Sequence, residues 1–376
     1  MNKKKVLAKK LLDGSGVEIN GGNAWDLRLK NEKFYDRVFL EGSLGLGEAY
    51  MDGWWEAEKL DEFFHKILSA DLAAKLKDML KFKDLNTAAY LAAAALFNFG
   101  AKARAFQVGE QHYDSGNDLF KLMLDSRMVY TCGYWKNAKT LEKAQKDKLE
   151  LVCRKIGLKP GMKILDIGCG WGSFLKYAAE NYGVSAVGVT ISKEQAELAR
   201  KNCKNLPVKI FLEDYRDTKG KFDRIVSLGM FEHVGYKNYG IYMRTARKLL
   251  NDDGLFLLHT IGNNKSVHAA EPWMNKYIFP NSMLPSVKQI GEAIEKVFVM
   301  EDWHNFGPDY DKTLMAWFER FDKNWHKIED KYGERFYRMW KYYLLSSAGV
   351  FRARQAQLWQ IVLSPKGVPG GYKGIR

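Results

Sequence analysis

From residue 160 onward, apolar runs suited to strands alternate with helical stretches. Residues 162–167, 184–189, 208–212, 222–227 and 255–261 read as strands, and 172–181, 193–202 and 239–250 as helices. Strands separated by helices of that length return in the same direction, so they form a parallel sheet covered on both faces. A further strand is predicted at 297–303, a helix from 312 to 345 and a last strand at 357–363.

The first strand of the series ends Ile164-Leu165-Asp166-Ile167 and runs into Gly168, Gly170 and Gly172, which open the first helix. Glycines at such a turn let backbone amides approach a ligand closely. A bare GxGxG is weak evidence, because tight turns need glycine anyway. Its place in the first βα unit strengthens it, as does Asp166 two residues ahead of the first glycine. The dinucleotide pattern GxGxxG is not met, since Ser173 follows Gly172. The run from Leu165 to Gly172 resembles the first motif of class I methyltransferases, in which the turn holds the methionine and ribose parts of S-adenosylmethionine. That resemblance implies an α/β fold with a Rossmann-like doubly wound sheet. In such folds the second strand normally ends in an acid that holds the ribose. Here it ends Gly188-Val189-Thr190-Ile191-Ser192. Either Thr190 and Gln195 hold the ribose instead, or the site is impaired.

Before the alternating region the texture differs. Gly42, Gly45, Gly47 and the pair Trp54-Trp55 precede a mixed helical stretch at 60–83 and an Ala-rich stretch at 88–97. Ten residues are too few to cross a bilayer, so that run reads as a buried helix. The expected division is a small, mainly helical N-terminal domain and linker over 1–105, then a catalytic domain over 106–376. An aromatic-rich insertion around 262–290, with Trp273, Tyr277 and Phe279, is expected to cover the substrate. The basic N-terminus is followed by no apolar core, so no secretory signal is read there. Cys132, Cys153, Cys169 and Cys203 lie far apart without ligand-like spacing, so neither a disulfide framework nor a metal site is expected. The net charge is +14, and residues 320–376 hold 12 Lys+Arg against 4 Asp+Glu. Such a surface suits nucleic acid, an anionic membrane or plain solvation, and charge alone does not choose. Lys323, Lys327, Lys331, Arg335, Arg338 and Lys341 form a basic stripe beside an apolar one. A membrane-contact face and a solvated face fit that stripe equally.

Several separated motifs narrow the reading. They are Tyr113-Asp114 with Gly116-Asn117-Asp118, the run Tyr130 to Trp135, and Val189 to Ser192 with Glu194-Gln195. With them go Phe231-Glu232-His233, His259-Thr260-Ile261-Gly262 and Phe306 to Tyr310. Together, in this order, they resemble the cyclopropane-fatty-acyl-phospholipid synthases over about residues 13–363. The resemblance implies S-adenosylmethionine contacts at Tyr130, Thr131, Gly168, Cys169, Gly170, Thr190, Ile191, Gln195, Tyr215 and Arg216. In that family a Thr/Gln ribose site is the norm, and an aromatic at position 215 can stack on adenine. It also implies a bicarbonate ion held by Cys132, Glu232, His259, Ile261 and Tyr310, with Cys132 and Ile261 acting through backbone groups. Tyr113 joins these as an aromatic that can stabilise cations.

The chemistry asks for such a set. An alkene carbon is a poor nucleophile, so it must be held against the sulfonium methyl in a dry site. Methyl transfer leaves a carbocation, and a base must then take a proton from the added methyl without itself being alkylated. The resemblance further implies an unsaturated phospholipid in an anionic membrane as substrate, a homodimer, and a cytoplasmic protein held peripherally at the inner membrane. Nucleic acid is not expected as a partner, because the place after the fourth strand reads Ser227 to Glu232 rather than an Asn/Asp-Pro-Pro-aromatic run.

Overall fold

A computed structural model describes residues 3–70, 72 and 116–376. The Ala-rich stretch at 88–97, the boundary near 105, and Tyr113-Asp114 lie outside the described residues.

The alternating region forms a seven-stranded sheet. Its strands are β1 (Lys163–Ile167), β2 (Ser185–Thr190), β3 (Val208–Leu212), β4 (Phe222–Leu228), β5 (Leu250–Asn263), β6 (Val299–Asn305) and β7 (Ala356–Ser364). They lie in the order β3-β2-β1-β4-β5-β7-β6. From β3 across to β5 the neighbours are parallel. β7 enters antiparallel between β5 and β6. The order reverses direction at β1, so the sheet is doubly wound, and ligands in such sheets bind beyond the carboxyl ends of the strands at that reversal. The glycine turn after β1 stands there.

Alternation along each strand divides the core in two. Leu165, Ile167, Phe256, Leu258, Ile361 and Leu363 pack on one face with the helix Tyr239–Leu249 and the helix Val287–Ile294. Ile164, Leu257 and Val362 pack on the other with Leu149, Val152 and Cys153 of the helix Leu141–Lys155. Both faces are therefore covered, as continuous apolar strands require. The odd positions of β5, including His259 and Ile261, share the second face.

The chain does not divide at one point. One compact unit comprises residues up to 123 together with Ala270–Asn281 and Leu314–Gln355, and the other comprises Leu124–Ala269, Ser282–Thr313 and Ala356–Arg376. The first unit is mainly helical. The helices Leu60–Ser69 and Ser43–Met51 pack on the helix Glu329–Arg352, and Gly349 meets Phe64 so closely that a Cβ there would lie 2.5 Å from it. The middle of the insertion, helix Pro272–Tyr277, belongs to this unit, with Trp273 seated on Gly47.

The single helix predicted over 312–345 is two. Pro308–Asn324 ends in a 3-10 turn at Trp325–Lys327, and Glu329–Arg352 contains a break at Gly333, whose φ of 74° no helix accepts. The apolar spacing continues across the break because both segments bury the same aromatic side. Trp325 stacks on Phe336 with ring centres 6.4 Å apart. Much of the basic stripe serves ion pairs inside this unit. Lys331 pairs with Asp118, Arg335 with Asp52, and Arg338 with Glu56.

Candidate active site

At the glycine turn, Gly168 and Gly170 adopt φ of 84° and 52°, and Gly172 of 80°. Only glycine takes such angles at little cost. The amides of Gly168 and Cys169 both donate to the Val189 carbonyl at 3.0 Å, which ties the turn to the end of β2. A Cβ on Gly168 would lie 2.7 Å from Met230, and one on Gly229 would lie 2.7 Å from Thr131. The turn after β1, the turn after β4 and the segment at Tyr130-Thr131 therefore approach one another with no room to spare. At β2, the Thr190 hydroxyl donates to Gln195 Oε1 at 3.0 Å and accepts from the Ser192 amide at 3.2 Å. Ser192 caps the following helix by accepting from the Gln195 amide. The two residues predicted to replace the missing acid are thus linked. Ile191 beside them is 82% exposed, an unusual state for isoleucine. Tyr215 is buried against Tyr242 with ring centres 5.0 Å apart, and Arg216 is exposed and held by Asp214 at 2.8 Å.

The second group of residues gathers at the ends of β4 and β5. Leu228 pairs with His259 in the parallel ladder, so the turn after β4 delivers Glu232 beside β5. The Ile261 amide donates to Glu232 Oε1 at 2.7 Å. Glu232 Oε2 and His259 Nε2 are both buried and have no hydrogen-bond partner among the described residues. Burial raises the Glu232 carboxyl to about 7, against the pull of the Ile261 amide, its own backbone amide and the Thr260 hydroxyl. Burial, reinforced by the charges of Lys148 and Lys155, holds the His259 imidazole well below its ordinary pKa, so the ring is neutral.

Cys132 touches Thr313, on the helix that also carries Tyr310. The Cys132 thiol lies 3.7 Å from Thr313 Oγ1, which accepts from the Gly133 amide at 3.1 Å and from the Trp135 indole at 2.8 Å. Thr313 stands one turn beyond Tyr310 on the helix Pro308–Asn324. Phe306, just before that helix, lies 6.0 Å from the His259 ring, centre to centre. The structure so ties Ile261 to Glu232 and Phe306 to His259, and sets Cys132 beside the helix that carries Tyr310. Tyr113 lies outside the described residues.

Several polar residues here were not singled out from the sequence. Lys148 is fully buried and donates to Thr131 Oγ1 at 2.6 Å. Desolvation lowers its pKa to about 8, against the pull of Asp125, Cys132 and Asp166. Beside it Asp166, the acid already noted ahead of the glycine turn, is raised by burial to about 7. Thr313, Lys155 and Gln360 complete the group.

Buried, partnerless polar atoms beside a neutral imidazole and a carboxyl titrating near neutrality are features that functional sites concentrate. The fold and the glycine turn define a class I S-adenosylmethionine-dependent methyltransferase. Within that class the chain belongs to the mycolic acid cyclopropane synthetase family, whose profile it matches over residues 101–361. It is 56% identical to the cyclopropane-fatty-acyl-phospholipid synthase of Escherichia coli K12, over 98% of this chain and 95% of that one. A sphingolipid C9-methyltransferase of Emericella nidulans is 36% identical over 67% of this chain, which spans about half (52%) of that protein. Among solved structures, a mycolic acid cyclopropane synthase complexed with SAH and CTAB is 32% identical. It covers 69% of this chain and 98% of its own, with a TM-score of 0.64.

Proposed function

We propose that this enzyme transfers a methylene group from S-adenosylmethionine to the cis double bond of unsaturated acyl chains of membrane phospholipids, forming a cyclopropane ring. The alkene electron pair attacks the sulfonium methyl, the sulfur–carbon bond breaks onto sulfur, and a carbocation forms on the neighbouring acyl carbon. Loss of a proton from the added methyl then frees the C–H pair to close the ring.

The observation that carries the reading is the pair of orphaned atoms, Glu232 Oε2 and His259 Nε2. They fit a small ion that has both oxygen acceptors and a hydroxyl. Bicarbonate, when bound there, supplies the base. Ile261 holds Glu232 in place through its amide, and the buried walls exclude the water that would otherwise trap the cation. Cys132 and Tyr310 complete the ion's surroundings. Tyr130, Thr131, Gly168, Cys169, Gly170, Thr190, Ile191, Gln195, Tyr215 and Arg216 hold S-adenosylmethionine, and Tyr113 stabilises the cation.

The enzyme acts as a homodimer on the cytoplasmic side, attached peripherally to anionic lipid. Anionic head groups attract Lys and Arg at about 1 kcal/mol each. The exposed Lys323 and Lys327 contribute, as does a hollow in the catalytic unit lined by Lys219, Lys221, Arg244 and Lys248. Among the described residues no helix is long and apolar enough to cross a membrane.

The test is product analysis. With S-adenosylmethionine and anionic vesicles of mono-unsaturated phospholipid, the acyl chains should gain one CH2 with no change in unsaturation count and should resist hydrogenation. Neutral vesicles or high salt should slow the reaction. A chain that gains CH2 yet still hydrogenates would be a methyl-branched alkene, and no gain at all would sink the reading.

A further inference from the structure

His259 on β5 and Gln360 on β7 are direct partners in an antiparallel ladder, so their side chains stand on the same face at close range. His304 on β6 pairs with Gln360 from the other side. The result is a row of three polar side chains crossing a strand whose nine residues are all buried. A fully buried glutamine in such a strand needs a reason.

Gln360 Nε2 lies 3.2 Å from His259 Nδ1. With its amide nitrogen toward the ring Gln360 donates and Nδ1 accepts, and a neutral ring then carries its single proton on Nε2. The ring is neutral because burial disfavours the imidazolium and the Lys148 and Lys155 charges oppose it further. Next door, Lys155 Nζ lies 3.0 Å from His304 Nδ1.

We propose that Gln360 is a positioning residue that fixes His259 as the Nε2–H tautomer, so that its partnerless Nε2 presents a donor to a small bound oxyanion. The inference rests on the oxyanion reading of the Glu232–His259 site. The opposite tautomer would turn a lone pair toward the anion and repel it. A charged ring would hold the anion more tightly but would compete with it for the proton it must accept. A neutral donor avoids both.

The experiment uses the full chain labelled with nitrogen-15 histidine, with the His259 signals identified by their loss in His259→Asn. The wild type should show protonated Nε2 and unprotonated Nδ1. Gln360→Glu places a carboxylate against Nδ1 and should move the proton there. Gln360→Met keeps the bulk, fills the same space and should leave a mixture. In activity assays, both variants should raise the KM for bicarbonate about ten- to a hundredfold, the worth of a hydrogen bond to a charged group. The kcat at saturating bicarbonate should change much less, a split that loss of fold would not give. A wild-type ring protonated on Nδ1, or a Gln360→Glu ring still protonated on Nε2, overturns the proposal. A tautomer that moves as expected while turnover stays indifferent to bicarbonate overturns the oxyanion reading instead and leaves the tautomer assignment standing.

Discussion

Replacing Glu232 by Gln is expected to lower turnover about a hundredfold or more while making the protein more stable above pH 7. Gln keeps an oxygen to accept the Ile261 amide, now 2.7 Å from Oε1, so the turn after β4 should hold its shape. What is lost is a group able to exchange a proton at the second oxygen, and such groups are typically worth roughly 10²–10⁴ in rate. The stability change follows from the raised carboxyl. Folding moves Glu232 from 4.5 to about 7. A raised carboxyl favours the folded state below pH 4.5 and loses that contribution as pH rises through 7. Above pH 7 the native enzyme therefore carries a buried carboxylate at a cost of about 3 kcal/mol, an order-of-magnitude figure for a fully buried group. Gln carries no such cost. The variant's Tm should exceed the wild type's by several degrees at about pH 8 and approach it near pH 5. Equal Tm values under the alkaline condition would mean that Glu232 is not held in a dry site.

Replacing Glu48 by Ala should cost about 3–5 kcal/mol of stability in the N-terminal unit, the usual penalty for breaking a buried ion pair from one side. Glu48 lies on the helix Ser43–Met51 with its side chain 9% exposed. It accepts from Arg37, from Lys276, and from the Tyr277 hydroxyl at 2.8 Å. Burial pushes its carboxyl up, but these three donors outweigh burial and hold it below the ordinary value. Truncation removes one acceptor of the buried Tyr277 hydroxyl and the carboxylate that Arg37 and Lys276 share. Denaturant unfolding followed by tryptophan emission should detect the loss directly, since Trp273 is fully buried in the same unit. Glu48→Gln should recover part of it. An unchanged midpoint would mean that the insertion helix is held by its aromatic packing alone.

The sheet was legible because buried parallel strands are apolar on both faces and the helices between them are not. The helix 193–202 begins and ends where its pattern says, since Ser192 caps it and the chain turns at Cys203. The strand from 255 to 261 proved longer, Leu250–Asn263, because Leu250 pairs with Phe222 across a register shift that carries the exposed Asp252 and Asp253 out of the ladder. The break at Gly333 was hidden by the aromatic stripe, whose spacing is the same whether one helix carries it or two segments share it. Domain membership was the hardest to read. Helix Pro272–Tyr277 joins the N-terminal residues through Glu48 and Gly47, more than two hundred positions away, and no local pattern announces a pairing of that range.

The site shows the same contrast. Glu232, His259 and Tyr310 stood out as motif residues. Lys148 did not, because in Glu142 to Glu150 it looks like one more charge on a solvated helix. Gln360 did not, because an amide in an apolar strand resembles an edge position. Its signal was present nonetheless. A polar residue in a strand that otherwise reads as fully buried must have a partner, and the ladder supplies His259.

The most direct test of ring formation by deprotonation of the transferred methyl uses S-adenosylmethionine carrying a trideuterated methyl group. The cyclopropane acyl chains should hold two deuterium atoms, because one leaves with the base beside Glu232 and His259. Chains that retain all three deuterium atoms would show that the added methyl is never deprotonated, and neither Glu232 nor His259 could then serve a base that closes the ring.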